Sequence, residues 1–328
     1  MIRIGILGCS EIAFRRFMPA LQEVSGIQAV AVAEEYAPAK LDDFCKTYSI
    51  EGVTSFEQLL YRNDIDAIYV PQPPALHFKW AMKALSTGKH VLVEKPSTTC
   101  FEDTTKLVKK ALEKGLALHE NYMFKYHSQI SKIKKLIASG ELGELRLIRA
   151  NFGFPMRSQN DFRYNKSLGG GALLDAGGYT VKLATELLGP SIKVDSAQLN
   201  GKVGYEVDMY GSASFSNSDG MICQVGYGMD CQYMCSLEIW GSTGRLFTNR
   251  IFTAPVGYKP TVLIEKGAEK KELIFAEDSS FAHSIEAFKE EVINPEKRAV
   301  MYNEILLQSK LVDTIKEIGS AVDYEHHL

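Results

Sequence analysis

Long apolar runs are missing from this sequence. No stretch reaches the about 18 residues that a helix needs to span a bilayer, so no membrane partner is expected. The opening residues read as a strand with no cleavage site behind them, and the expected location is cytoplasmic. Cysteine is sparse. The six, Cys9, Cys45, Cys100, Cys223, Cys231 and Cys235, form no C-x-x-C pair, which argues against a zinc ribbon or a dithiol redox site and fits a reducing compartment. No histidine sits with cysteine or carboxylate at ligand spacing, so no metal is expected. Positive charge is not in excess: 37 Lys and Arg against 40 Asp and Glu give a net charge of −3, with no electrostatic footprint for nucleic acid. A G-x-S-x-G nucleophile motif, internal repeats and low-complexity linkers are absent too. His326 and His327 near the end are assigned no role.

What is present is ordinary for a globular chain, with 45% hydrophobic and 23% charged residues. At 328 residues the chain is long for one core and suits two domains. Apolar strands and amphipathic helices alternate up to about residue 121. Strands are predicted near residues 2–7, 27–33, 53, 66–70, 90–93 and 116–119, and helices over 12–24, 37–48, 56–61, 75–87 and 101–114. That alternation is the signature of a doubly wound parallel sheet, a Rossmann-type α/β domain over 1–121. The second domain, 122–328, is predicted as α+β. It has a helix at 128–139, a strand at 145–152, a helix at 172–188, and alternating strands at 210–215, 221–227, 234–240 and 246–251. Two helices close the chain, at 280–291 and 301–318. This half is expected to build a large, mostly antiparallel open sheet. One sheet face would pack on helices, and the other could pair subunits into a homodimer or homotetramer.

The first stretch, Ile2-Arg3-Ile4-Gly5-Ile6-Leu7-Gly8-Cys9-Ser10-Glu11-Ile12-Ala13, runs strand, glycine turn, helix start. A helix start presents free N–H groups and partial positive charge, so a pyrophosphate can sit against Gly8, Cys9, Ser10, Glu11 and Ile12. Ser10 stands where a dinucleotide fingerprint has its middle glycine, and its small hydroxyl can donate to the pyrophosphate. Glu34 and Glu35 end the second strand. There a carboxylate accepts from the adenosine ribose hydroxyls and repels a 2′-phosphate, which favours NAD(H). The other reading of the pair is a polar cap on the next helix. Arg15 and Arg16 point the opposite way: one could reach a phosphate, leaving NADP(H) open, or both are plain helix surface.

Ligands of an open α/β sheet bind outside the carboxyl ends of its strands. Pro71, Gln72 and Pro73 form a stiff loop there, with His77 just beyond. Glu94 and Lys95 end the fifth strand, where a lysine can donate a proton or a hydrogen bond to a carbonyl or hydroxyl, its charge tuned by Glu94. In the second half Asp175, Tyr179 and Lys182 fall on one helical face after Gly169-Gly170-Gly171. Nearby positive charge lowers a tyrosine's pKa and suits it to proton transfer, whereas the bland reading is a solvated stripe. Arg163 in the preceding loop is a candidate clamp for a phosphate or a substrate oxygen. His77 and His127 are candidates for cofactor or substrate contact, or satisfied structural histidines.

These residues resemble the Gfo/Idh/MocA family of oxidoreductases over nearly the whole chain. The opening fingerprint, the stretch from His90 through Glu94-Lys95-Pro96, the junction Asn121-Tyr122-Met123-Phe124-Lys125-Tyr126-His127, and the stretch from Leu168 to Tyr179 carry the likeness. The resemblance implies that a hydride moves between a nicotinamide and a carbinol or keto carbon, usually on a sugar. It implies that Tyr179 exchanges the hydroxyl proton, with Lys95 adjusting its pKa or acting in its place. Asp175, Arg163, Tyr126, His127 and Lys182 would then face substrate. Asn121 and Arg163 would join the cofactor set. Residues 9–21 look most like members that reduce 3-keto nucleotide sugars, a group that often uses NADP(H), and are similar to xylose and dihydrodiol dehydrogenases. A ligand-binding member without catalysis is the remaining alternative.

Overall fold

The computed structural model describes residues 1–319 and 321–322; His326 and His327 lie outside the described residues. The chain divides into two compact units, Met1–Met123 with Phe281–Ser309, and Phe124–Ser280 with the chain from Lys310 onward.

The first unit is built on six strands: β1 (Ile2–Leu7), β2 (Ile27–Ala33), β3 (Glu51–Val53), β4 (Ala67–Val70), β5 (His90–Glu94) and β6 (Leu118–Asn121). All pair in parallel, in the order β3-β2-β1-β4-β5-β6. Near-continuous apolar strands such as Ala67-Ile68-Tyr69-Val70 are buried on both faces, as a sheet covered by helices requires. The helices are α1 (Met18–Gln22), α2 (Pro38–Tyr48), α3 (Phe56–Leu60), α4 (Pro74–Ser86) and α5 (Phe101–Lys114). Strand order reverses between β1 and β4, which places the binding crevice of such a sheet at the carboxyl ends of those strands.

The helical run after the glycine turn is not regular. Residues Ala13–Phe17 form a π turn, in which the Met18 N–H reaches back five residues to the Ala13 carbonyl. Pro19 has no N–H to donate to Arg15, so the usual ladder cannot continue there. The final strand also lies two residues later than the apolar pattern predicts, which puts Asn121 within β6.

The second unit contains α6 (Ser128–Ala138), β7 (Leu145–Gly153), α7 (Gly178–Leu188), β8 (Lys193–Asn200), β9 (Tyr210–Ser216), β10 (Ile222–Gly228), β11 (Met234–Gly241), β12 (Arg245–Asn249), β13 (Thr261–Lys266) and β14 (Glu269–Ile274). The helices α8 (Ser280–Ile293) and α9 (Arg298–Ile318) follow, then β15 (Ala321–Val322). The nine-stranded sheet runs β14-β13-β12-β11-β7-β10-β9-β8-β15. It is antiparallel except where β10 meets β7 and β15 meets β8. Alternation is clear: Ile148, Ala150 and Phe152 point inward with Leu237 and Ile239, while Arg149, Gln224 and Glu238 face out. The inner face packs on α7.

A single cut after residue 121 does not describe the units, because residues 281–309 cluster with the parallel sheet. The cause is apolar burial: Ile285 and Phe288 of α8 complete the core that holds Ile4, Ile6 and Leu92. Arg298 clips this return in place by donating to the carbonyls of Glu291 and Gly115, at 2.7 and 2.5 Å. Among the described residues no helix is long and apolar enough to cross a membrane.

Candidate active site

Three loops cross at the carboxyl end of the parallel sheet. Gly8 has φ +114°, which a side chain strongly disfavours, and its N–H donates to the Ala33 carbonyl at 2.8 Å. A Cβ there would lie 2.7 Å from Gln72 Nε2, and that same nitrogen donates to the Leu7 carbonyl at 2.6 Å. Glu34 also faces the turn, accepting from the amides of Cys9 and Tyr36, each at 3.0 Å. Burial and the Glu34 charge together push the Cys9 thiol up to about 12. Ser10 Oγ accepts the Ala13 N–H at 3.2 Å, which leaves the hydroxyl proton for another acceptor. Glu11 pairs with Arg15 at 2.6 Å on the exposed helix surface, and Arg16 is exposed as well. Glu35 turns away and caps the start of α3 by accepting the Phe56 N–H at 2.7 Å. Of the two acidic residues, Glu35 serves as a helix cap, at α3, while Glu34 stays at the glycine turn. A cradle that one methyl group would fill, beside a helix start and a carboxylate, fits a dinucleotide.

The strand-end lysine is set in a rigid frame. Glu94 Oε1 accepts from Tyr69 Oη at 2.7 Å and from Asn121 Nδ2 at 2.6 Å. Burial raises the Glu94 pKa, against those two bonds and the Lys95 charge. Lys95 follows, partly exposed, and its bond to Pro96 is cis. His77 sits between two backbone carbonyls, with Nδ1 2.6 Å from that of Pro96 and Nε2 2.6 Å from that of Gln72, and its neutral ring has one N–H to donate to one of them. It thus joins the Pro71-Gln72-Pro73 loop to the loop after β5. Burial, with the Lys95 charge adding to it, takes the imidazole down to about 4.

In the second unit the glycine triplet has a steric reason. A Cβ at Gly170 would lie 2.3 Å from the Arg163 carbonyl, and one at Gly171, where φ is +122°, would lie 2.4 Å from Asp208 Oδ1. The loop carrying Arg163 is thereby folded onto the start of the helical run. Arg163 Nε donates to Asp175 Oδ2 at 2.5 Å, and Nη1 donates to Asp161 at 3.1 Å. Asp175 lies in a π-helical stretch, Leu173–Gly177, that leads into α7. Such wide turns recur at functional sites. Tyr179 packs against the rings of Phe152, Phe124 and Phe252, with centroids at 5.2, 5.8 and 6.0 Å. It is 8% exposed and Lys182 is 3% exposed, so the solvated-stripe reading fails. His127 caps α6, with Nδ1 accepting the Gln129 N–H at 3.1 Å. Tyr126 lies beside it with the Lys125 ammonium over its ring at 4.9 Å.

Asp208 was not visible in the sequence. It anchors the helix start twice, its carbonyl accepting from Ala172 at 2.8 Å and its Oδ2 from Leu173 at 2.6 Å. Burial raises its pKa to about 6. A loop aspartate ahead of a strand carries no spacing signal. Tyr69 was hidden in the same way, inside an apolar strand.

The arrangement has close counterparts among known proteins. The GFO_IDH_MocA model, an oxidoreductase family with an NAD-binding Rossmann fold, matches residues 2–122, and the GFO/IDH/MocA C-terminal domain matches residues 130–247. A dTDP-3,4-didehydro-2,6-dideoxy-alpha-D-glucose 3-reductase from Saccharopolyspora spinosa is 40% identical over 292 residues, which is 89% of this chain and 87% of that protein. The crystal structure of a 3-ketoreductase from Actinomadura kijaniata, in complex with NADP and TDP-benzene, superposes with a TM-score of 0.95 at 36% identity, covering 98% of both chains. A D-xylose 1-dehydrogenase (NADP(+)) from Haloferax volcanii is 28% identical over 98% of this chain and 99% of its own.

His77 ties acid stability to the loop crossing. Its folded pKa lies below the ordinary 6.5, so the unfolded chain takes up the proton first as pH falls. The stability that comes from burying the ring in its neutral form is complete above about pH 6.5 and is lost as pH falls toward about 4, with the two carbonyls opposing that loss. His77→Gln is expected to flatten the fall of Tm between pH 6.5 and 4 relative to the parent. An unchanged slope would show that the ring does not titrate with folding.

Proposed function

The chain belongs to the GFO/IDH/MocA oxidoreductase family, and we propose that within it the protein reduces the 3-keto group of a dTDP-linked deoxysugar. It is an NAD(P)-dependent oxidoreductase acting between a nicotinamide and a carbinol or keto carbon of a sugar-type substrate. The observation that carries the substrate reading is the near full-length similarity to 3-ketoreductases that act on, or bind, thymidine-diphosphate compounds. In this reading the first unit holds the dinucleotide and the second the sugar nucleotide.

When bound, the nicotinamide supplies the hydride for the carbonyl carbon. The chain's own task is to orient that carbonyl and supply the proton. Tyr179 gives the proton from Oη to the ketone oxygen. The Phe124, Phe152 and Phe252 rings hold the phenol in one orientation and limit water around it. Lys182, one turn along the same helix face, places positive charge that favours the phenolate left behind. Lys95, at the end of β5, can itself donate a proton or a hydrogen bond to a carbonyl or hydroxyl. Asp175, held by Arg163, orients a sugar hydroxyl. Gly8, Cys9, Ser10 and Ile12 would hold the pyrophosphate of the dinucleotide, and Gln72, Pro71, Pro73, Glu94 and Asn121 would line the nicotinamide side. Tyr126 and His127 stand on the substrate side, Tyr126 through its ring and His127 through the helix cap it makes.

Tyr179→Phe and Lys95→Ala are each expected to lower kcat about 10²- to 10⁴-fold, the usual worth of a proton-transfer group, while cofactor binding persists. Near-parental kcat in both would overturn the assignment. The substrate panel contains dTDP-3-keto sugars and free D-xylose. Turnover of xylose alone would move the protein to the aldose dehydrogenase reading that the Haloferax relative favours.

Cofactor choice rests on Glu34. A 2′-phosphate would enter beside this carboxylate, and Arg15 is already tied to Glu11. We therefore expect NADH to bind tighter than NADPH by on the order of tenfold in a fluorescence titration. The NADP in the solved 3-ketoreductase makes the comparison sharp, and tighter NADPH binding would refute this reading.

The outer face of the nine-stranded sheet exposes Met234 and Trp240, 50% and 55% accessible, and we infer that two or four copies pair there. Light scattering should give a multiple of the 36.5 kDa chain mass, and Trp240→Glu should reduce it to one chain. A monomeric parent would exclude the pairing.

A further inference from the structure

A row of hydrogen bonds runs behind Glu94 through the interior of the first unit, and the chemistry above makes no use of its far end. Asn121 Nδ2 donates to Glu94 Oε1 at 2.6 Å, and Asn121 Oδ1 accepts from Ser284 Oγ at 2.8 Å. Ser284 Oγ meets His119 Nε2 at 3.0 Å, and His119 Nδ1 meets Glu291 Oε1 at 3.0 Å. His119, Asn121 and Ser284 are at most 1% exposed and Glu291 is 6% exposed. The Phe288 ring meets His119 edge-on, with centroids 5.9 Å apart. Ser284 and Glu291 lie seven residues apart on one face of α8, the helix that returns to this unit.

Counting donors gives the row a direction. A carboxylate only accepts, so Asn121 must turn its NH2 toward Glu94 and its carbonyl toward Ser284. Ser284 has one proton and spends it on Asn121. Its oxygen must then accept from His119, which fixes a proton on Nε2. One further proton lies between Nδ1 and Glu291 Oε1, on whichever of the two atoms carries it. Every hydroxyl, amide and ring in the row has a single orientation. Burying so many polar groups carries a desolvation cost that an apolar helix face would avoid.

We propose that Ser284, His119 and Glu291 are positioning residues that fix the Asn121 amide and, through it, the Glu94 carboxylate beside Lys95. The effect on turnover rests on the reading of Lys95 given above; the geometry of the row does not. If Ser284 loses its hydroxyl, Asn121 Oδ1 loses that donor and His119 Nε2 loses that acceptor. They can satisfy each other only if the Asn121 side chain moves toward His119 and away from Glu94.

Ser284→Ala is expected to lower kcat between about tenfold and 100-fold, the cost of a misplaced group near the chemistry, while KM for the sugar nucleotide stays within about twofold. The Asn121 side-chain amide signals, read by selective ¹⁵N labelling of the full chain, should shift in the same variant. Glu291→Gln keeps a donor for His119 Nδ1 and should match the parent in both readouts, whereas Glu291→Leu should behave like Ser284→Ala. Unmoved Asn121 signals in Ser284→Ala would overturn the row itself. Moved signals with unchanged kcat would overturn its positioning role. A parent without sugar-nucleotide turnover would defeat the functional reading alone, since the amide signals still decide the row.

Discussion

At Gly8 three chain segments meet with no room for one methyl group. The glycine amide is tied to the end of β2, Gln72 covers the turn from the end of β4, and the Gln72 carbonyl meets His77, whose other nitrogen meets Pro96. A mechanical line therefore runs from the glycine turn to the residue after Lys95. Each link is short and largely buried, so moving the glycine turn would strain the lysine loop. Pre-organisation of this kind lowers the cost of orienting reactants, because the orientation is fixed when the protein folds.

The second unit uses the same device with different parts. Gly170 and Gly171 let the Arg163 loop and Asp208 approach the start of the helical run more closely than any side chain would permit. Asp208 then satisfies two amides at the helix start, and Arg163 is held between two carboxylates. A π turn sits at each place, after the glycine turn in one unit and around Asp175 in the other. Wide turns break the regular ladder and spread side chains that a tighter helix would stack. In both units the strained or crowded backbone lies next to the residues assigned to chemistry, where such costs are usually tolerated.

The parallel half was legible because burial on both faces leaves a simple trace: short apolar strands, prolines at helix starts and glycines at helix ends. The places of Gly8, Glu34 and Lys95 at strand ends and of Tyr179 after a glycine triplet were legible from the pattern, and their roles belong to the proposed function. The strands β8 and β14 were not, since Lys193-Val194-Asp195-Ser196 and Glu269-Lys270-Lys271-Glu272 lack the apolar alternation of a half-buried strand. β14 is an edge, and charged edges are how sheets avoid pairing with strangers. The return of α8 to the first unit was hidden as well. Ile285 and Phe288 read equally as the apolar stripe of any helix, and nothing in their spacing says which core they join. Asp208, Ser284 and His119 share that difficulty, because their partners lie far away in sequence.

Glu34 shows how closely selectivity and structure can be joined. The carboxylate that would repel a 2′-phosphate is also the acceptor for the Cys9 and Tyr36 amides. Removing it would relieve any such repulsion and at the same time release the glycine turn from its acceptor. A buried amide left without an acceptor costs about 1–3 kcal/mol, comparable to what the lost repulsion would return. Charge at this position therefore cannot be changed as an isolated variable. Glutamine drops the charge but has a single amide oxygen, so it can accept from the Cys9 amide or the Tyr36 amide and not from both, and the field at this position and the hold on the Gly8 turn change together.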